Sequence, residues 1–246
     1  MENLQALFRQ ILFYGTFVCI GVGILVILYL FFKLATTSNY KAKYDFINQQ
    51  EKKLLWYSSI SFIAGGSCYV TSILSTEWMF VFVGLFVSIM FGLIVGVVIY
   101  NYLEYYYPTF IEGRLHALRY KPRRSKAGNE MKLLSESEED VYLDEGQQAE
   151  ENIFSVDYDV WIDEASGETQ IEKYKGHLHA EKSPTCGYYT LRVVREEIIE
   201  SPTEEKEGTL ITHYECSYTK YKTQKVFNIA KLKKNPKEAG KTLVSV

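Results

Sequence analysis

Three stretches without one charged side chain, residues 10–32, 54–76 and 78–103, constrain this chain more than anything else in it. A helix needs about 20 apolar residues to cross the hydrocarbon of a bilayer, where every backbone N–H and C=O must be paired within the segment. QILFYGTFVCIGVGILVILYLFF, LLWYSSISFIAGGSCYVTSIL and WMFVFVGLFVSIMFGLIVGVVIYNYL are each long enough. They predict three membrane helices, over about 10–33, 54–75 and 78–103. The first run is too long for the apolar stretch of a secretory signal, and no small-residue cleavage site follows it.

Lys and Arg in the flanks set the orientation. The loop from Lys33 to Lys53 carries Lys41, Lys43 and Lys52 between its basic ends, and Arg114, Arg119, Lys121, Arg123, Arg124 and Lys126 follow the third run. The turn near Thr76 has no positive charge. The consistent solution puts the N-terminus outside, the 33–53 loop inside and the C-terminal region in the cytoplasm, in the inner membrane of a bacterium. Tyr100, Tyr102, Tyr105, Tyr106 and Tyr107 then form the inner aromatic belt.

Within the membrane part, Gly84, Ser88, Gly92 and Gly96 recur every four residues and make one small-residue stripe. Such a stripe admits a second backbone, either a neighbouring helix of this chain, another copy, or another membrane protein. No Asp, Glu, Lys, Arg or His lies within the three cores, which argues against a proton or ion path. Cys19 and Cys68 read as small apolar residues.

Everything beyond Glu104 is strongly polar. LLSESEEDVYLDEGQQAEENI opens on Ser135 and Glu138 at capping-box spacing and predicts a helix to about Ile153, interrupted near Gly146. SVDYDVWID and TQIEKY predict one hairpin, YYTLRVVREEII and GTLITHYECSY a second. Asp157 and Asp159, two apart on a strand, share a face that reads as solvent-exposed. The apolar contacts expected to hold the hairpins are Val156, Tyr158, Val160, Trp161, Ile171, Tyr174, Tyr189, Leu191, Val193, Ile211, Tyr214 and Tyr218. The division expected is a membrane part over 1–107, a hairpin-rich part over 108–230 and a flexible basic tail over 231–246. The acidic block after residue 133 argues against nucleic-acid binding.

Four short turns align. RSKA-G at 124–128, DEAS-G at 163–167 and SPTC-G at 183–187 each end on glycine, and CSYT at 216–219 is followed by Lys220. A zinc ribbon builds each metal site from two such knuckles, because tetrahedral zinc takes four ligands from two tight turns. Glycine supplies the positive φ that closes the turn. Here only Cys186 and Cys216 carry ligand chemistry.

The words YLDEGQ and SVDYDVW, followed by IEKY, CGYYTL and YEC, resemble the C-terminal cytoplasmic region of TPM-domain membrane proteins over roughly residues 118–225. That resemblance implies two zinc ribbons in which most cysteines have been replaced. By position, Arg124, Ala127, Asp163 and Ser166 stand where the first ribbon's ligands would be. Ser183 and Thr219 stand beside Cys186 and Cys216 in the second. The TPM domain itself is missing, so no enzymatic role follows.

The fold class expected is therefore an α+β membrane protein: three transmembrane helices followed by a small hairpin-rich cytoplasmic domain resembling two degenerate zinc ribbons. Cys186 and Cys216 should lie close together. They form a metal-free packed pair, a zinc site completed by His213 and by His179 or His177, or a redox pair. No catalytic motif is present, and no cofactor is expected unless that pair takes zinc. The functional expectation is a non-enzymatic accessory or scaffold subunit whose partners are the bilayer and other membrane proteins or further copies of itself. The alternatives are a metal- or redox-responsive sensor and a subunit of a transport or enzyme complex.

Overall fold

The computed structural model describes residues 2–74 and 77–232. The expected turn near Thr76 and the basic tail beyond residue 232 lie outside them. The chain divides into two compact units that meet between Lys121 and Pro122, fourteen residues later than the division expected at 107.

The first unit is helical. Helix α1 spans Glu2–Thr36, and after a short break Asn39 caps α2 (Tyr40–Phe46), accepting from the Ala42 N–H at 2.9 Å. A π-helical turn, Ile47–Glu51, leads without interruption into α3 (Lys52–Leu74). The expected 33–53 loop is thus mostly helix. Helix α4 spans Trp78–Asn101 and passes through a second π-helical turn, Tyr102–Tyr106, into α5 (Tyr107–Arg119). Two helices, Asn3–Thr36 and Met79–Arg119, are long and apolar enough to cross a membrane by length and composition. Helix α3 is uncharged from Leu54 to Leu74 but is more polar than these two, with hydroxyls at Ser58, Ser59, Ser61, Ser67, Thr71 and Ser72.

Helices α1 and α4 both pack on α3, and small residues bring them close. A Cβ on Gly23 would stand 2.9 Å from the Phe62 ring, and one on Gly65 would stand 3.0 Å from Ile20. The Gly84–Gly96 stripe of α4 faces α3: a Cβ on Gly84 would meet the Thr71 backbone at 3.3 Å and one on Gly92 would meet Ile63 at 3.0 Å. Ser88 reaches the Ser67 carbonyl and the Thr71 hydroxyl, each at 3.3 Å. The stripe is used within the chain. At the ends of α3 and α4, Ile47, Leu103, Tyr107 and Ile111 form a buried cluster. Beside it Arg114 holds the buried Glu51 carboxylate and Lys52 reaches Glu104 at 2.6 Å.

The second unit carries two antiparallel sheets. Strands β1 (Arg123–Arg124), β2 (Glu130–Leu133), β3 (Val156–Ile162) and β4 (Thr169–Lys175) form the first in that order. Strands β5 (Leu191–Glu200), β6 (Gly208–Cys216) and β7 (Lys222–Ile229) form the second. Both expected hairpins are present, joined by β1, β2 and β7. Between β2 and β3 the single predicted helix is two, α6 (Glu136–Glu139) and α7 (Glu145–Asn152), each opened by its own capping box, Ser135 with Glu138 and Asp144 with Gln147. The break falls before Gly146, because Asp144 starts the second helix. Gly146 serves packing instead: a Cβ there would stand 2.1 Å from the Tyr188 ring.

Strand β3 pairs with β2 only at Trp161 and Ile162, which leaves the N–H groups of Tyr158 and Val160 on an open edge. An unpaired edge costs stability and invites aggregation. Two carboxylates close it: Glu151 accepts from Tyr158 N–H at 2.9 Å and Glu139 from Val160 N–H at 3.3 Å. One face of β3 buries Val156, Tyr158 and Val160 against Leu143. The other buries Trp161, over which the Arg123 guanidinium stacks at 4.8 Å while it pairs with buried Glu172 at 2.7 Å. Asp159 on that face is therefore buried, against the expectation of an exposed hairpin face. Of the twelve predicted core residues, Val156, Tyr158, Val160, Trp161, Tyr174, Leu191 and Tyr214 are buried and Ile211 is half-buried, whereas Ile171, Tyr189, Val193 and Tyr218 are exposed.

Candidate functional site

Three of the four turns are where the residues place them, and the first is shifted by one residue. Gly128, Gly167, Gly187 and Lys220 all have positive φ, at 88°, 73°, 81° and 59°. Three of the turns close identically. The first residue's N–H donates to the carbonyl five residues on, and the fifth residue's N–H returns to the first carbonyl. Asp163 with Glu168 and Gly167, Ser183 with Tyr188 and Gly187, and Cys216 with Tyr221 and Lys220 are the three sets, all at 2.7–2.9 Å. The remaining turn is one residue tighter: Ser125 donates to the Asn129 carbonyl and Gly128 to the Ser125 carbonyl. Its first position is thus Ser125, which is buried. Arg124 and Ala127, the positions carried over from the resemblance, are exposed and take no part.

The turns face each other in pairs. At the first pair, buried Asp163 accepts from Ser166 Oγ at 2.6 Å, from Asn129 Nδ2 at 3.1 Å and from Ala165 N–H at 3.0 Å. Hydrogen bonds from Ser166 and Ser125 hold its carboxyl well below the usual carboxylate range. An oxygen network fills the centre.

At the second pair, Cys186 Sγ and Cys216 Sγ are 3.8 Å apart. Two sulfurs bound at about 2.3 Å to one tetrahedral ion would stand at about the same separation. Thr190 Oγ1 lies 3.1 Å from Cys216 Sγ and 3.5 Å from Cys186 Sγ, and Thr219 N–H donates to Cys216 Sγ at 3.3 Å. Thr185 Oγ1 ties the two turns together, 3.0 Å from Ser183 Oγ and 2.9 Å from Thr219 Oγ1. Leu191, Tyr214 and Tyr221 pack around the sulfurs, and Cys216 is 0% exposed while Cys186 is half-buried. Burial opposes ionisation of Cys216. Hydrogen bonds from Thr190, Thr219 and Ser183 outweigh it and bring the thiol down to about 6.

His213 and His179 do not join this pair. His213 sits opposite Arg195 and Gln224 on the other face of β6 and approaches Glu197 at 3.8 Å, as three-residue spacing on a strand dictates. His179 is exposed. Among the described residues no three His, Cys, Asp or Glu side chains form a metal-binding group. With two thiols and two hydroxyls at the second pair and a single carboxylate at the first, neither donor set fits tetrahedral zinc. Thr185 and Thr190 went unread in the sequence because neither occupies a knuckle ligand position. The only signal for Thr190 is its place four residues after Cys186, at the start of β5.

No family model, curated protein or solved structure matches this chain.

Proposed function

We propose that the chain is a non-enzymatic membrane accessory or scaffold subunit, with three membrane helices and a cytoplasmic contact domain derived from two zinc ribbons. For α3 as the third span, the support is that its hydroxyls are satisfied by the helices: Ser59 donates to Leu55 C=O at 2.8 Å, Ser61 to Cys19 C=O at 2.7 Å and Ser72 to Tyr69 C=O at 2.7 Å. The Lys52–Glu104 and Arg114–Glu51 pairs bring the start of α3 and the end of α4 to one level, in keeping with both basic flanks lying on the cytoplasmic side. The ancestral relation to the TPM-protein C-terminal region is supported by the four positive-φ turns.

The observation that carries the scaffold reading is an apolar sheet face that loses its cover. Cross-strand partners share a face, so Leu191, Val193, Ile198, Leu210, Tyr214, Phe227 and Cys216 lie on one side of β5–β7, crossed by one polar row of Glu196, Thr212 and Lys225. Leu191 and Cys216 are buried, yet Val193 is 47%, Ile198 59% and Phe227 44% exposed. Exposed apolar patches of this kind mark contact surfaces. The test is purification of the tagged chain from its own membranes in mild detergent. A near-stoichiometric membrane partner, lost in an Ile198→Lys, Phe227→Lys variant, supports the reading. Recovery of the chain alone, or a partner indifferent to those substitutions, overturns it.

A further inference from the structure

We infer that Cys186 and Cys216 form a reversible dithiol–disulfide couple that exchanges with low-molecular-weight disulfides, Cys186 meeting the reagent and Cys216 closing the bond. The sulfurs are 3.8 Å apart on two turns whose backbones are each locked by paired hydrogen bonds. Bond formation at about 2.05 Å asks each sulfur to move by about 1 Å. Access is asymmetric, because Cys186 is half-buried and Cys216 fully buried. That asymmetry separates an attacking from a resolving cysteine. Thr190, Thr219 N–H and the Ser183–Thr185–Thr219 hydroxyls form a polar shell on the sulfurs' side of an otherwise apolar cluster. A pair meant only to pack would not need the Thr219 N–H and the Thr190 hydroxyl at hydrogen-bond distance from sulfur, since a buried thiol behaves as a small apolar group.

The exchange balances as follows. The Cys186 thiolate attacks one sulfur of the small disulfide, forming a protein–reagent disulfide and releasing one small thiolate, which takes up a proton. Cys216, as thiolate, then attacks the Cys186 sulfur. The bond between Cys186 and the reagent breaks, and the second small thiolate leaves and is protonated. Two protein sulfurs are oxidised and one small disulfide is reduced to two thiols. The reverse reaction needs only the same small thiol. Closure links residues 186 and 216, joining the turn before β5 to the end of β6.

The experiment uses the full chain in detergent with Cys19→Ala and Cys68→Ala, so that only Cys186 and Cys216 report. The protein is equilibrated with glutathione and glutathione disulfide at a series of ratios, quenched with acid, alkylated under denaturing conditions and weighed intact. The expected result is a single transition from two alkylated cysteines to none, with a protein two hydrogens lighter and a 186–216 linked peptide. Cys186→Ser should abolish exchange altogether. Thr190→Val, which keeps the shape of the site but removes the hydroxyl 3.1 Å from Cys216 Sγ, should slow the closing step about tenfold at neutral pH without preventing it. Two alkylatable cysteines at every ratio would overturn the proposal. So would a glutathione adduct on Cys186 that persists without closure, or a stoichiometric zinc ion on the purified chain that blocks alkylation.

Discussion

Thr185 Oγ1 and Thr219 Oγ1 stand 2.9 Å apart across thirty-four residues of sequence, one on each of two facing turns. In a zinc ribbon the metal joins such turns. Here a hydroxyl pair does so beside two thiols, and the first pair of turns is joined by a buried carboxylate with its donors. Hydrogen bonds of this kind contribute about 1 kcal/mol each, far less than structural zinc, so the rest of the stability comes from the apolar contacts of both sheets and from Glu150. That carboxylate is fully buried, accepts from Tyr158 OH and Tyr189 N–H, and pairs with Lys173 at 3.0 Å.

If the second site keeps ribbon geometry, ligands can be put back. Ser183→Cys with Thr219→Cys should present four thiols from two tight turns and bind one zinc ion per chain. Melting of the C-terminal unit should then rise and become sensitive to chelator. Metal analysis of the purified variant checks this. Arg124→Cys with Ala127→Cys should bind nothing, since those positions point away from the first site.

Acidity at the edge of β3 makes stability fall as pH rises. Burial, reinforced by neighbouring carboxylates, raises both Glu139 and Glu151 to about 7 despite the N–H bonds each accepts. A carboxyl whose folded-state pKa is raised gives stability that is full below its unfolded value near 4.5 and is lost through pH 7. The C-terminal unit should therefore melt at lower temperature at pH 8 than at pH 5. Glu139→Gln with Glu151→Gln should flatten this dependence while keeping an acceptor for each N–H. Asp163 acts oppositely and only in acid: its lowered pKa gives stability that disappears as the pH falls below about 4.

Removing half of the Arg123–Glu172 pair should be severe. Glu172 accepts from Arg123 Nε at 2.9 Å and Nη2 at 2.7 Å and from Tyr174 OH at 2.7 Å, all of them buried. Glu172→Leu removes the carboxylate that takes two hydrogen bonds from the buried guanidinium and should cost about 3 to 5 kcal/mol in denaturant unfolding, whereas adding Arg123→Met should restore most of it.

In the helical unit the small-residue stripe holds α4 on α3. Gly92→Ile would drive a branched side chain into Ile63 and should destabilise the unit by about 1 to 3 kcal/mol. Gly21→Ile, at a site with nothing within 4 Å, should be neutral. Thermal unfolding in detergent distinguishes them.

Three positive-φ positions, Gly128, Gly167 and Gly187, were legible from the turn composition around each glycine, whereas Phe154 and Lys220 carried no such signal. Hairpins were legible too, from alternation and turn composition. The first turn's register was not: Arg124-x-x-Ala127 has the expected spacing, but the turn closes one residue shorter on Ser125. Nor was the burial of Asp159, because alternation alone gives a strand one wet face, whereas Arg123 and Trp161 cover that face here. Strand β7 was missed because TQKVFNI is flanked by lysines and half exposed, an edge strand held by its pairing to β6. The stripe on α4 was plain, but which backbone it meets depends on tertiary packing.

Metal content and chelator response of the purified wild-type chain decide whether hydrogen bonds, in place of a metal, join the facing turns. The wild-type chain should carry no stoichiometric zinc, and the melting temperature of its C-terminal unit should be unchanged by a strong chelator. One zinc ion per chain, with unfolding of that unit when it is removed, would contradict this.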